Sequence, residues 1–314
     1  MDELIKQLLR GERRAAARMI SLVENDDAHK NEIMSRIYPN TGSAYIIGIT
    51  GSPGAGKSSL TDKLVAEIRK LGLKVAIIAV DPTSPFTGGA ILGDRIRMQS
   101  HALDSEVFIR SMGTRGSLGG LSHATKEAVK VLDAFDKDII VIETVGVGQS
   151  ELDIMHAADT TLVVLTPGAG DAIQTIKAGI MEIADIFVVN KADLDGADKV
   201  KAETEAMLDM RTPSDWRPPV IPVVSLTGSG IKDLWGKITE HREHLEKTGQ
   251  LDEIRKARLR EEVRDILEHE IKKYVWNTVE ASGEMDAVLE KVANREIDPY
   301  TAAKNILADR VKLK

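Results

Sequence analysis

AYIIGITGSPGAGKSSLTDKLVAEIRK, residues 44–70, is the stretch on which the fold turns. The aliphatic run up to Thr50 predicts a strand and the stretch from Ser59 predicts a helix. Between them, Gly51-Ser52-Pro53-Gly54-Ala55-Gly56-Lys57-Ser58 satisfies G-x-x-x-x-G-K-[ST]. The glycines let backbone N–H groups turn inward on a β-phosphate, and the helix N-terminus adds the positive end of its dipole. Lys57 then bridges β- and γ-oxygens, Ser58 offers its hydroxyl to magnesium, and Ser59 closes the phosphate-binding stretch.

Outward from this unit, short aliphatic runs alternate with longer amphipathic stretches. The runs are KVAIIAV (74–80), EVFIRS (106–111), DIIVIET (138–144), TTLVVLT (160–166), DIFVVN (185–190) and VIPVVS (220–225). Each is continuous enough to be buried on both faces by helices, the signature of βαβ units. The fold class expected is therefore α/β: a P-loop NTPase with a mostly parallel seven-stranded sheet flanked by helices. Residues 1–43 form a helical preface, with Leu4, Ile5, Leu8, Leu9, Met19, Ile20 and Val23 at helical spacing and Gly11 as the joint. Residues 44–240 are the nucleotide domain. Residues 241–314 are helical, with a long amphipathic helix whose stripe of Leu259, Val263, Ile266, Leu267, Ile271 and Val275 must cover either the chain's own core or a second copy, a homodimer.

The chain has 314 residues, a net charge of −7 and no cysteine. The acidic balance speaks against a nucleic-acid or anionic-membrane partner, and the missing cysteines exclude disulfides, thiolate nucleophiles and Cys-ligated metals. With no signal-like N-terminus and no long apolar run, a cytoplasmic location is expected. His241 and His244 share a helix face and are read as a solvated pair.

Asn190-Lys191-Ala192-Asp193 follows a predicted strand in the N-K-x-D order of GTPases. Asp193 can accept from guanine N1–H and the 2-amino group together, whereas adenine offers neither donor and would leave the carboxylate unpaired. Lys191 would lie along the base and Asn190 would brace the loops. Ser225-Leu226-Thr227, at the end of the next strand, forms a second base-contacting loop. Asp81 and Glu143 end two strands beside the phosphate loop, where either could hold Mg2+ directly or through water. Between them, residues 82–97 carry Asp94, Arg95 and Arg97 and read as a switch loop. Gly146 can offer its N–H to a γ-phosphate. Val147, not glutamine, follows that glycine, so intrinsic hydrolysis should be slow; Arg95, Arg97 and Arg115 are in-chain candidates to speed it.

The blocks GSPGAGKSSL, DPTSPFTGGAILGDRIRM, IETVGVGQSE, TPGAGDAIQTIKAGIMEIADIFVVNKAD and SDWRPPVIPVVSLTGSGI together resemble the MeaB/ArgK/MMAA-type GTPases, the methylmalonyl-CoA mutase-associated P-loop family. The resemblance implies a homodimeric GTPase, cycling between GTP and GDP with Mg2+. It further implies a chaperone that gates adenosylcobalamin loading into methylmalonyl-CoA mutase or a related B12-dependent acyl-CoA mutase, and protects or reactivates that enzyme. Carried over by motif, Lys57, Asp81, Asp94 and Glu143 serve catalysis, with Ser58 and the three acids serving magnesium. Asp171, Gln174 and Lys177 fall in a block resembling the family's extra switch and are expected to couple nucleotide state to the partner. A nucleotide-dependent kinase or transport-system component is the competing reading, disfavoured by NKAD. A metallochaperone GTPase is another, disfavoured by the absence of cysteine.

Overall fold

The computed structural model describes residues 1–25, 27–81, 99–101, 103–113, 123–144, 153–168, 182–212, 215–282 and 284–308. Seven strands form one sheet: β1 Tyr45–Gly51, β2 Val75–Asp81, β3 Val107–Gly113, β4 Ile139–Thr144, β5 Thr160–Leu165, β6 Ile186–Asn190 and β7 Val220–Val223. Their order is β3-β2-β4-β1-β5-β6-β7 and every pairing is parallel. All seven predicted runs are strands. The phosphate-loop strand β1 lies in the middle, so the carboxyl ends of β4, β1, β5 and β6 converge on one edge, where open α/β sheets bind ligands.

Alternate residues of each strand enter opposite cores, which is why the runs are unbroken by polar positions. On one face Ile140, Ile142, Val163 and Leu165 join the N-terminal helices α1 (Asp2–Leu9), α2 (Arg13–Glu24) and α3 (Lys30–Ile37) and helix α5 (His123–Ala134). On the other, Ile47, Ile49, Val141, Val164 and Val188 meet helices α4 (Lys57–Lys70) and α7 (Ile231–Thr248). Helix α6 (Ala197–Asp209) connects β6 to β7. The preface is thus part of the first core: Leu8, Met19, Ile20 and Ile33 are fully buried. Gly11, at φ +82, separates α1 from α2 as expected. Helix α2 is tied to the edge strand β3, where Arg110 donates to Glu24 at 2.7 Å and to Ser21 Oγ at 3.2 Å.

The chain divides into two compact units, Met1–Asp252 and Glu253–Lys314. The second holds most of the long helix α8 (Gln250–Ser282), then α9 (Glu284–Ala293) and α10 (Pro299–Ala308). Its apolar stripe is open to solvent, with Val263, Leu267 and Ile271 more than half exposed. Among the described residues no helix is long and apolar enough to cross a membrane.

One sequence expectation is corrected. His241 is not a solvated partner of His244: it is 2% exposed, at the amino-terminal edge of the sheet. Its Nδ1 lies 2.9 Å from Thr160 Oγ1, which in turn lies 2.5 Å from Tyr45 Oη. The Trp216 ring packs against it, tilted by 47° with centroids 4.7 Å apart, and its indole N–H donates to the Asp185 carbonyl at 2.8 Å. Helix periodicity put both histidines on one face, but not that this face turns inward at position 241, because Trp216 comes from a separate loop.

Burial, then the neighbouring His244, depress His241 from 6.5 to about 4, against a smaller upward pull from Asp159. Its polar neighbours among the described residues also include Tyr45, Thr160 and Asp185, whose Oδ1 is 3.6 Å from Nε2. Burial pushes the Asp185 carboxyl up, to about 7, though a third of its side chain stays open to solvent, which limits that rise. A depressed base folds in its neutral form, so His241 contributes stability that is present above pH 6.5 and lost as pH falls toward 4. The full effect is on the order of 3 kcal/mol. His241→Asn keeps a polar atom near Thr160 and leaves Asp185 in place. Urea unfolding of both proteins from pH 4.5 to 7.5 should show the native chain losing stability relative to the variant as pH drops. A difference that stays constant across that range counts against the assignment.

Candidate nucleotide site

The phosphate loop leaves β1 at Gly51, whose φ of +137 and position leave no room for a side chain: an added Cβ would sit 2.3 Å from the Val164 carbonyl oxygen. This close approach of β1 to β5 sends the chain over the sheet edge. At the other end Gly56, at φ +87, starts helix α4, and a Cβ there would lie 2.4 Å from Asn190 Nδ2. The two glycines serve the geometry that the motif demands.

Lys57 is 6% exposed, and its ammonium donates to the carbonyls of Gly51 at 2.6 Å and Ser52 at 3.0 Å. The loop is therefore wrapped around its own lysine. Ser58 Oγ donates to Glu143 Oε1 at 2.6 Å, and Thr61, one turn on, donates to Oε2 at 2.9 Å. Glu143 is 2% exposed and stands at the end of β4, in register with Ile49 of β1 and Ala79 of β2. Two hydroxyls on the phosphate-loop helix thus hold a buried carboxylate beside the loop. Sequence reading missed Thr61; the signal was its place three residues after Ser58, on the same helix face. Thr144 Oγ1 donates to Thr50 Oγ1 at 3.1 Å and ties the ends of β4 and β1.

Serine hydroxyl and carboxylate oxygens are the hard donors that magnesium takes, and it needs only one or two carboxylates besides phosphates and water. Ser58 and Glu143, already in contact, fit such an ion. The backbone of Asp81 ends β2 opposite Gly113. Asp94, Gly146, Asp171, Gln174 and Lys177 lie outside the described residues, as do Arg95, Arg97, Arg115, Val147 and Gln149.

The residues expected from the sequence to read the base converge on the same edge. Asn190 Nδ2 donates to the Ala55 carbonyl at 2.7 Å, while its Oδ1 accepts from Ser225 Oγ at 2.7 Å and Ser225 N–H at 3.2 Å. One buried amide thus joins the phosphate loop to the loop after β7. Lys191 adopts φ +58, rare outside glycine, and its ammonium reaches the Gly54 carbonyl at 2.9 Å. The turn is closed by Ala192 N–H on Val223 O and Leu194 N–H on Lys191 O, both at 3.0 Å. Asp193 is exposed in this turn, and Leu226 is 83% exposed in the neighbouring loop. Thr227 closes that second loop, its N–H donating to Val224 O at 3.1 Å.

A parallel sheet with a Gly-Lys-Ser loop at its central strand, a buried acid held by that loop's helix, and an Asn-Lys-x-Asp turn braced against it defines a P-loop nucleoside triphosphatase. The family model described as methylmalonyl Co-A mutase-associated GTPase MeaB matches residues 16–280. A Pyrococcus abyssi protein whose name says GTPase, with no partner, is 56% identical over 316 residues, covering 98% of this chain and 96% of its own. The Escherichia coli GTPase ArgK is 34% identical, covering 98% and 95%. The mouse mitochondrial methylmalonic aciduria type A homolog is 33% identical, covering 89% and 69%. Among solved structures, that of an LAO/AO transport system kinase is 28% identical with a TM-score of 0.72, covering 97% of this chain and 95% of that one. This chain belongs to the MeaB family of GTPases.

Proposed function

We propose that this GTPase gates adenosylcobalamin loading into methylmalonyl-CoA mutase, or a related B12-dependent acyl-CoA mutase, and protects or reactivates that enzyme. The observation that carries the reading is the family match over most of the chain, to a model described by association with that mutase. The site is consistent with it. Lys57 would exchange the loop carbonyls for β- and γ-phosphate oxygens, and Asp193 would read guanine. Ser58 and Glu143, with Asp81 and Asp94 from the sequence pattern, would hold Mg2+, which when bound neutralises charge on the phosphate oxygens. With valine after the Gly146 position, intrinsic turnover is slow, and a partner supplies the ordering through the stretch bearing Asp171, Gln174 and Lys177.

The exposed stripe of α8 is the proposed contact with a second copy, in a region, 241–314, serving dimerisation. The location is cytoplasmic. A kinase reading has in its favour the name borne by the related protein of known structure. It requires phosphate transfer to an acceptor other than water.

The test is turnover of GTP and ATP, alone and with a methylmalonyl-CoA mutase from the same cell, with light scattering on the same samples. GTP-specific release of phosphate that rises roughly 10-fold or more with the mutase is expected, from a particle of twice 34.3 kDa. Unchanged turnover on adding the mutase removes the chaperone reading. ATP preference, or phosphate appearing on an acceptor, favours the kinase.

A further inference from the structure

Helix α4 turns two hydroxyls toward the end of β4, and they stand differently to the carboxylate there. Ser58 Oγ gives its one proton to Glu143 Oε1 at 2.6 Å, which leaves its lone pairs for a cation. Thr61, fully buried and three residues on, lies 2.9 Å from Glu143 Oε2. The two carboxylate oxygens are thus held one each by a single helix. Glu143 reaches that helix because it follows Val141 by two residues in β4, on the face whose core includes Leu60 and Leu64 of α4.

Thr61 has a second acceptor in reach, the Lys57 carbonyl four residues back, at 3.0 Å. That contact is the ordinary one for a threonine inside a helix. Thr204 of α6, also fully buried, makes it with the Val200 carbonyl at 2.7 Å, in a helix whose Ala197 and Leu208 belong to the opposite core. A hydroxyl has one proton, so the two acceptors of Thr61 compete for it. The carboxylate prevails, because a hydrogen bond to an ionised acceptor is roughly twice as strong as one to a neutral carbonyl. The opposite choice would set a hydroxyl lone pair against a charged oxygen of a residue that is 2% exposed.

This arrangement bears on the ion. Magnesium bound to Ser58 meets an oxygen whose proton is committed to Glu143, and that commitment lasts only while the carboxylate keeps its orientation. A hydrogen bond to the second oxygen fixes the carboxylate plane. Partners of this kind, one step behind the ligand, set metal affinity by orienting the ligand and not by touching the metal.

We infer that Thr61 is a positioning residue for magnesium: by holding the second carboxylate oxygen of Glu143, it keeps the first on the Ser58 proton and the Ser58 lone pairs toward the ion. The inference rests on the magnesium reading of Ser58 and Glu143 given above.

The test uses the whole chain, a fluorescent GDP and Mg2+, with GDP affinity read in EDTA and across a Mg2+ titration. Thr61→Val keeps the shape and removes the hydroxyl. Its Mg2+ midpoint for tightening GDP should rise about 10-fold or more, with the affinity in EDTA within about two-fold of native. Thr61→Ala, smaller but equally without a hydroxyl, should shift the midpoint similarly, and Thr61→Ser should bring it back to within a few-fold of native. Thr204→Val removes the comparable helix contact on the other face; whatever it does to the Tm, it should leave the Mg2+ midpoint native. A native midpoint in Thr61→Val overturns the inference. So does a GDP affinity that falls equally with and without Mg2+, which marks damage to α4 as a whole, or a Thr61→Ser midpoint as high as that of Thr61→Val. If GDP binding by the native chain ignores Mg2+, the magnesium reading falls and takes the inference with it; if the native chain responds and Thr61→Val responds identically, the inference alone falls.

Discussion

Lys57→Ala will lose GTP turnover by about 10²–10³-fold, the cost typical of removing one preorganised group from a phosphoryl-transfer or oxyanion site. Lys57 is almost fully enclosed by the loop it serves, with its ammonium on two loop carbonyls. Truncation removes the only side chain that the motif offers as a point charge between β- and γ-phosphates, and it leaves the Gly51 and Ser52 carbonyls without that donor. A local stability cost of about 1–3 kcal/mol is therefore expected alongside the loss of chemistry. Steady-state phosphate release, paired with a thermal melt, separates the two. A variant that melts near the native temperature and still turns over GTP within a few-fold of native would show that the loop does not work as its pattern requires.

The second large effect concerns the base. Asp193→Asn should weaken GTP binding roughly 10²-fold or more while improving binding of xanthosine triphosphate. The carboxylate accepts from two guanine donors, N1–H and the 2-amino group. An asparagine amide can accept from only one of them and presents an N–H to the other. Xanthine carries a carbonyl where guanine has the amino group, so it fits the amide and repels the carboxylate. The surrounding geometry supports the swap, because the turn is held by Asn190, Lys191 and Ala192, not by Asp193 itself. Competition of both nucleotides against a fluorescent GDP gives the two affinities. Equal loss for GTP and xanthosine triphosphate would mean that the loop had collapsed, and no change for either would remove Asp193 from base recognition.

These two residues differ in how they became visible. Lys57 was legible because its motif is contiguous and its flanks carry their own strand and helix patterns, so local sequence alone places it at a helix start. Asp193 was legible because its four-residue turn follows a strand run. Their meeting at one edge followed from parallel topology, which brings the carboxyl ends of all strands to the same side. Thr61 was not legible, since a threonine on a helix is ordinary until Glu143, from a strand 82 residues away, is found beneath it. Nor were the contacts that Ser100 and His101 make with Asp62 from more than 35 residues away. The solvated reading of His241 failed for the same reason.

By itself the sequence determined the seven strands, the phosphate loop, the Asn-Lys-x-Asp turn and the family, because each is written in contiguous runs whose physics is local: period, turn chemistry and the spacing of glycine, lysine and serine. Only the tertiary structure decided which acid Ser58 holds, which amide locks the two loops together, which histidine is buried and which helix Ser100 and His101 lie against. Those are pairings between residues far apart in the chain, and their energies come from burial and hydrogen-bond geometry that exist only once the sheet has brought the partners together.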